Sequence, residues 1–421
     1  MTQAMRGAVI GAGIAGISMA HALRRIGLSI DLFEQSPAPR STGYQLNVHA
    51  NGKYALAQIG LGDALEQSPD GAAVNSAPII DGLSGRVVRR IAFRAAGQYS
   101  STSFYRGDLH RTLLQALEGA PPECGYEIES VSDDSGRGKV TVSFVGGGVR
   151  EFDFVIGADG AHSKIRRQLF PTHRGYVPHL DALMFATRVD LTGQGEAERL
   201  FARQIREREF VQINAPGTVV ILSGAGGGQF GVIVCTDDSS YTRDISTPED
   251  AKHLARLLVR DVKDARVHHA IDTGFWDPGN PFVWRIGDID PLPRFHVGRV
   301  ALTGDAAHAM FPMLGQGANQ AFEDAMVMAR ELATNAVRGE QISINTATAF
   351  ERYSAERQPH VARVQALARR TARGLISRSL FGHRVNNVVT RWLPQRMLDR
   401  FQDHLLKYAS ANPARDTDAR K

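Results

Sequence analysis

"AVIGAGIAGISMAHALRRIGLSIDLFE", Ala8 to Glu34, decides how the rest of the chain is read. Ala8–Ile10 is an apolar run of strand length that leads without a spacer into Gly11-Ala-Gly13-Ile-Ala-Gly16. A helical stretch follows through Arg25, then a second apolar strand, Leu28–Phe33, ending on Glu34. This order is a βαβ unit with its glycines at the first turn. Gly11 permits the tight turn, Gly13 lets the backbone approach a pyrophosphate, and Gly16 lets helix and strand pack closely. The free N–H groups and positive dipole end of the helix start, around Ile14 and Ala15, favour phosphate. Glu34, with Gln35 behind it, stands where a carboxylate accepts hydrogen bonds from ribose hydroxyls and repels a 2′-phosphate, so FAD or NAD is expected and not NADP. An ordinary βα turn is the plainer reading of the glycines by themselves.

A second stretch, "VALTGDAAHAMFPMLGQGANQAFEDA" from Val300 to Ala325, addresses the same ligand. Arg299–Leu302 is a short apolar strand, Gly304-Asp305 ends it, and Gly315–Ala318 opens a helix with a small-residue face at Ala321, Ala325 and Ala329. The Asp305 carboxylate suits sugar-alcohol hydroxyls. Pro312 and the segment Gly315, Gln316, Gly317, Ala318 and Asn319 suit one face of a flat ring. A helix dipole starting near Gly317 favours negative charge on that ring, as a reduced flavin carries. The alternative is an Asp cap beside a glycine-rich loop.

Bulk properties narrow the class. A chain of 421 residues exceeds one ordinary core, so two or three domains are expected. Cys124 and Cys235 are the only cysteines and lie far apart, which fits a reduced, cytoplasmic protein and leaves no disulfide framework or zinc spacing. No apolar run approaches 18 residues and no cleavage site follows the first strand, so neither a membrane span nor a signal peptide is expected. The net charge of +5 is concentrated at the end, where Glu351 to Lys421 hold 15 Lys/Arg against 6 Asp/Glu. The spacing Val361, Val364, Ala368, Ala372, Leu375 makes an apolar helix stripe with arginines on the other faces. A solvated helix face is therefore expected there, with no nucleic-acid or membrane partner, in a monomer or homodimer.

Together with "VIGADGAHSKIR" from Val155 to Arg166, the two stretches, in this order, resemble the single-component FAD-dependent aromatic hydroxylases. These are the class A flavoprotein monooxygenases of the para-hydroxybenzoate hydroxylase fold, and the chain is similar also to their tetracycline-inactivating members. The resemblance covers about residues 6 to 370. It implies a tightly bound, non-covalent FAD whose ribityl chain meets Asp305, and it implies that Asp159-Gly160 serve both FAD and a passing nicotinamide cofactor. Through "RSTGYQLNVHANGKYALAQIGL" from Arg40 and "YRGDLHRTLL" from Tyr105, it also implies that Arg40, Asn47 and Arg106 contact the cofactor, with plain salt bridges as the alternative. No second Gly-x-Gly-x-x-Gly unit and no Cys-x-x-Cys occurs, so NADH or NADPH is expected as a transient co-substrate. The tryptophans of "FWDPGNPFVWRI", from Phe275, lack the spacing of flavin halogenases.

The middle of the chain alternates as strands do, in "DALMFATRVD" from Asp181, "EFVQIN" from Glu209, "TVVILS" from Thr218 and "FGVIVCT" from Phe230. An antiparallel sheet is expected, with Gly224–Gly228 as a hairpin connection and Val74–Phe93 as a further hairpin of the same sheet. The fold expected is α/β: a Rossmann-like FAD-binding domain (1–72, 97–172 and 286–368), an antiparallel substrate-binding β-sheet domain (73–96 and 173–285) and a C-terminal helical segment (369–421). His49, Arg188, Gln212, Phe230, Met313 and Leu314 are candidates to line the substrate pocket, though each could be plain packing. His308 reads as structural. No residue stands out as a catalytic base, because in this chemistry the reactive oxygen resides on the cofactor. The function expected is hydroxylation of an aromatic or polycyclic, phenol-like small molecule with NAD(P)H and molecular oxygen through a flavin hydroperoxide. An oxidase, reductase or epoxidase on the same scaffold is the rival within the enzymes, and a non-catalytic ligand-binding or redox-sensing flavoprotein is the rival outside them.

Overall fold

The computed structural model describes residues 5–410 apart from 40–42, 118, 135, 226–228, 239, 241, 243–244, 276–282, 339–341 and 376. Strand Arg6–Ile10 pairs in parallel with Ser29–Glu34 on one side and with Phe154–Gly157 on the other, and Phe154–Gly157 pairs in parallel with Val300–Leu302. The two motif strands thus lie in one sheet although most of the chain separates them. Glu123–Cys124 and His296–Val297 extend it to six strands. Such a sheet must be covered on both faces, which is why its strands are near-continuous apolar runs. Helices Ile14–Arg25, Gly317–Thr334 and Thr346–Leu375 and the antiparallel strands Ile128–Asp134, Lys139–Phe144 and Val149–Phe152 share its core. The alanines expected to permit close approach do so, since Ala321, Ala325 and Ala329 are all buried.

The second sheet has seven strands in the order Val283–Ile289, Tyr176–Arg188, Gln229–Thr236, Thr218–Gly224, Val211–Ala215, Ser76–Asp81 and Val87–Ala92. Its pairs are antiparallel with one exception, because Val211–Ala215 runs parallel to Ser76–Asp81. The sheet expected to be antiparallel is therefore mixed at the point where the early hairpin joins it. One face packs under helices Glu196–Glu207, Pro248–Val259 and Ala265–Thr273 through Phe201, Leu254, Val267 and Ile271. The other face turns toward the flavin-type motifs. Strand Val283–Ile289 crosses the boundary expected at 285/286, and the helix Thr346–Leu375 crosses the one expected at 368/369. Neither boundary falls at a break in structure. Val361, Val364, Ala368 and Ala372 are buried on that long helix, as its stripe requires.

Helices Leu380–Trp392, Gln395–Leu405 and Lys407–Ser410 end the described chain. They strap across the outer hairpin of the seven-stranded sheet. Arg89 donates to the carbonyls of Thr390 and Leu393, His383 meets Asp81 at 2.8 Å, and Gln402 donates to Ala92 O at 2.9 Å. No helix among the described residues is long and apolar enough to cross a membrane.

Candidate active site

The glycine turn is built as its spacing requires. Gly11 has φ +106° and sits against Ala158, in a conformation costly for any residue with a side chain. A Cβ at Gly16 would fall onto the Gly11 carbonyl, whereas one at Gly13 would meet nothing within 4 Å, because Gly13 borders a cavity. Gly13 precedes the helix Ile14–Arg25, and Ile14 and Ala15 line the same space. Glu34 does more than the spacing suggests. Its two carboxylate oxygens accept from Ala12 N and Ser36 N, each at 2.9 Å, so it ties the turn to the second strand while lone pairs remain for a ligand. Gln35 is exposed beyond it.

Asp305 opens a short helix, Asp305–His308, and its exposed carboxylate lines the cavity opposite the glycine turn. Its backbone is held from behind by buried Arg166, which donates to Asp305 O at 3.2 Å and Ala306 O at 2.9 Å. Pro312–Leu314 form a 3-10 turn, Gly315 adopts φ +60°, and the helix Gly317–Thr334 begins with its N-terminus at the cavity. Pro312, Gly315, Gln316, Gly317 and Ala318 all face that space. Asn319 does not. It is fully buried, donating to Asn47 O at 2.9 Å and Gly315 O at 2.6 Å and accepting from His49 N at 2.9 Å, so it stitches one wall of the site to the other. His308 is likewise internal, 2.6 Å from Asp324, in the structural place expected of it.

Asn47 and Arg106 line the cavity, and Arg40 lies outside the described residues. Gly160 also lines it. Asp159 turns inward, accepting from Ser163 Oγ at 2.6 Å and Ile165 N at 3.1 Å at the entry to helix Lys164–Leu169. Burial pushes its carboxyl above the ordinary range, and these bonds oppose the shift without cancelling it.

The cavity, of about 880 Å³, runs on from these motifs to the seven-stranded sheet. Of the pocket candidates, His49, Gln212, Met313 and Leu314 line it; Arg188 and Phe230 do not. Phe230 belongs to the opposite face, buried against Phe201 with ring centres 4.4 Å apart, because Gly231, Ile233 and Cys235 take the cavity side of that strand. An alternating strand with both faces covered conceals which parity is which. Arg188 shares the parity of Met184, a cavity residue, but lies four residues farther along, about 13 Å, and is exposed at the strand end. Phe210, Ile221 and Ile233 complete the sheet side. The opposite wall had no sequence signal: Val389, Leu393, Met397 and Phe401 bring the C-terminal helices into the lining.

The electrostatics suit a polar cofactor end and an apolar substrate end. Gln45 Nε2 and Asn47 Oδ1 are buried at the cavity wall without a partner among the described residues, which marks a place for a ligand's polar edge. Burial pushes the His49 imidazole down to about 4, keeping it neutral, with Nδ1 2.9 Å from Ser101 Oγ. Burial pushes the Cys235 thiol up to about 12 and leaves it unreactive. Among the described residues no group of three His, Cys, Asp or Glu side chains is placed to hold a metal.

The chain matches the FAD binding domain family over residues 4–368. It is 28% identical over 378 residues to a 6-hydroxynicotinate 3-monooxygenase of Bordetella bronchiseptica, covering 86% of this chain and 90% of that one. It is also 28% identical over 378 residues to a salicylate hydroxylase of Pseudomonas putida, covering 86% and 84%. The crystal structure of Klebsiella pneumoniae HpxO with FAD and uric acid superposes with a TM-score of 0.79 at 23% identity, over 96% of this chain and 97% of that one. The open cradle at Gly13, the unpartnered amide groups and the carboxylate of Asp305 fit the FAD that the family and the HpxO structure name. The chain belongs to the FAD binding domain family and is an FAD-dependent monooxygenase of the para-hydroxybenzoate hydroxylase class.

Proposed function

We propose that the protein hydroxylates an aromatic or polycyclic, phenol-like small molecule, consuming one NAD(P)H and one O₂ per turnover and releasing water with the hydroxylated product. The observation that carries this reading is the single cavity joining the glycine turn and Asp305 to an apolar chamber under the seven-stranded sheet. Relatives that act, by their names, on salicylate and 6-hydroxynicotinate support an aromatic substrate.

FAD, when bound, supplies the electrons and the oxygen activation. The chain's share is binding, orientation and dryness. In this reading Gly13 and Gly160 offer backbone to the pyrophosphate, Glu34 and Asp305 accept from sugar and ribityl hydroxyls, and Gln45 and Asn47 meet polar edges of the cofactor. The N-terminus of Gly317–Thr334 stabilises negative charge on the ring. Met184, Phe210, Ile221, Ile233 and Leu314 exclude water around a flat apolar body. Gln212 and neutral His49 are the polar groups that would orient a ring hydroxyl, and His49 can accept or donate one hydrogen bond without carrying charge.

The test is turnover of candidate phenols under isotopically labelled oxygen gas. The expected result is faster NAD(P)H oxidation with substrate and one labelled atom in the product. Label confined to peroxide or water, with substrate dehydrogenated, would place the protein with the oxidases or reductases.

A further inference from the structure

Helix Leu380–Trp392 carries an exposed apolar stripe of a kind a water-facing helix does not need. Phe381, Val385, Val388 and Trp392 recur at intervals of four, three and four residues, so they share one side, and Phe381 and Trp392 are 78% and 75% exposed. Leu380 and, on the next helix, Met397 are exposed as well. Arg384 and Arg391 flank one edge of the stripe and Arg396 follows. From Ser379 to Leu398 the chain has no Asp or Glu, and among the described residues no carboxylate pairs with these three arginines. Along the other edge, Val389 is at once exposed and part of the cavity lining, with Asn386, Thr390 and Leu393. Only this helix separates the apolar chamber from the apolar stripe.

We propose that this face docks on an anionic phospholipid bilayer. Phe381 and Trp392 would enter the headgroup boundary, where large aromatic side chains are favoured, and Arg384, Arg391 and Arg396 would meet lipid phosphates and carboxylates. Charge selects this occupant over a second copy of the chain. Antiparallel pairing of the helix with itself would bring arginine against arginine with no carboxylate on either helix to offset it. The expectation of no membrane partner came from the solvated arginines of the preceding helix, and at this face it is revised. Docking is independent of the reaction proposed above.

The test floats the full FAD-loaded chain with vesicles of phosphatidylcholine alone or with 30% phosphatidylserine. At least tenfold more protein should float with the anionic vesicles. Phe381→Glu/Trp392→Glu should abolish flotation while the flavin spectrum and unfolding midpoint hold, and Arg384→Gln/Arg391→Gln should remove the preference for phosphatidylserine. Should the glutamate variant not fold, wild-type fluorescence gives the same answer. The chain has three tryptophans, so a vesicle-induced blue shift that disappears in Trp392→Phe reports that residue alone. No flotation at millimolar lipid, or flotation unchanged in the glutamate variant, overturns the proposal. So does light scattering that finds a dimer which the glutamate variant dissolves, with no lipid binding.

Discussion

Replacing Arg357 by Met tests whether the cavity loop before helix Gly317–Thr334 is held by a buried ion cluster. Arg357 is fully buried and donates to Asp324 at 2.8 Å, Glu323 at 2.6 Å and Gln320 through both its carbonyl, at 3.0 Å, and its side chain, at 2.8 Å. Met fills much of the stem volume and removes the charge. What remains is two buried carboxylates with unequal support. Asp324 keeps His308, Thr303 and Gly304 as donors, whereas Glu323 keeps Asn51 at 2.8 Å and the His360 imidazole at 3.5 Å. Stranding a buried charge in this way costs about 3–5 kcal/mol. Equilibrium unfolding in urea should show that loss, and Arg357→Met/Glu323→Gln should regain about 1–3 kcal/mol of it because the less supported charge is gone. Asp324→Asn should rescue less. Asn51 also donates to Gln316 at 3.0 Å, so the single variant should hold FAD more weakly as well. The pH slopes should have opposite signs. In the wild type, burial pushes the Glu323 carboxyl up, but Arg357, His360 and Asn51 together outweigh it and hold it below its ordinary value. Its contribution to stability is then present above about pH 4.3 and lost as pH falls. In the variant the Arg357 share of that offset is gone and burial dominates, so the defect should shrink as pH drops toward 4. A loss under about 1 kcal/mol, or better rescue by Asp324→Asn, would mean that the Arg357 charge does not hold this cluster together.

Wild-type protein should be yellow, and Asp305→Ala should weaken FAD roughly tenfold or more, the worth of one charged hydrogen bond, with circular dichroism unchanged; the ratio of flavin to protein absorbance reads this. Gly16→Ala should purify colourless, since its Cβ collides with the Gly11 carbonyl, and retained flavin would contradict the close packing described. Asp159→Ala should cost about 1–2 kcal/mol through the entry to helix Lys164–Leu169. If the unfolding midpoint instead holds while flavin reduction slows at saturating NAD(P)H, the carboxylate acts on the nicotinamide cofactor. His49, lowered to about 4 in the fold, binds a proton more readily when unfolded, so stability should fall as pH drops from about 6.5 toward 4, by about 2 kcal/mol at pH 5. His49→Asn should flatten that part of the profile.

What could be read from the sequence was local. The turn Gly11–Gly16 and the loop Pro312–Ala318 are specified by neighbours in the chain, and both were found with their strands and helices. Two things resisted, both decided at long range. The parallel joining of Ser76–Asp81 to Val211–Ala215 leaves no trace in either segment, and the parity of Gln229–Thr236 is hidden because both faces are apolar. Asn319 and Glu34 were found for their position and turned out to bond the chain itself, since spacing reveals that a polar residue is near a site and not which way its atoms are committed.

The chamber wall formed by the helices beyond Ser379 has a consequence for how the protein is made. The first wall to leave the ribosome, Gly11–Gly16, needs strand Phe154–Gly157 beside its own strand and Val300–Leu302 beyond that, so the cofactor site can close only once synthesis has passed about residue 320. The substrate chamber waits longer, because Val389, Leu393, Met397 and Phe401 are added later still. At roughly 5–20 residues per second, about 4–17 s separate the two events. During that interval Ala77, Ile79 and Ile91 face solvent from an open trough, and early FAD capture together with chaperone cover would decide how much nascent chain survives to be closed.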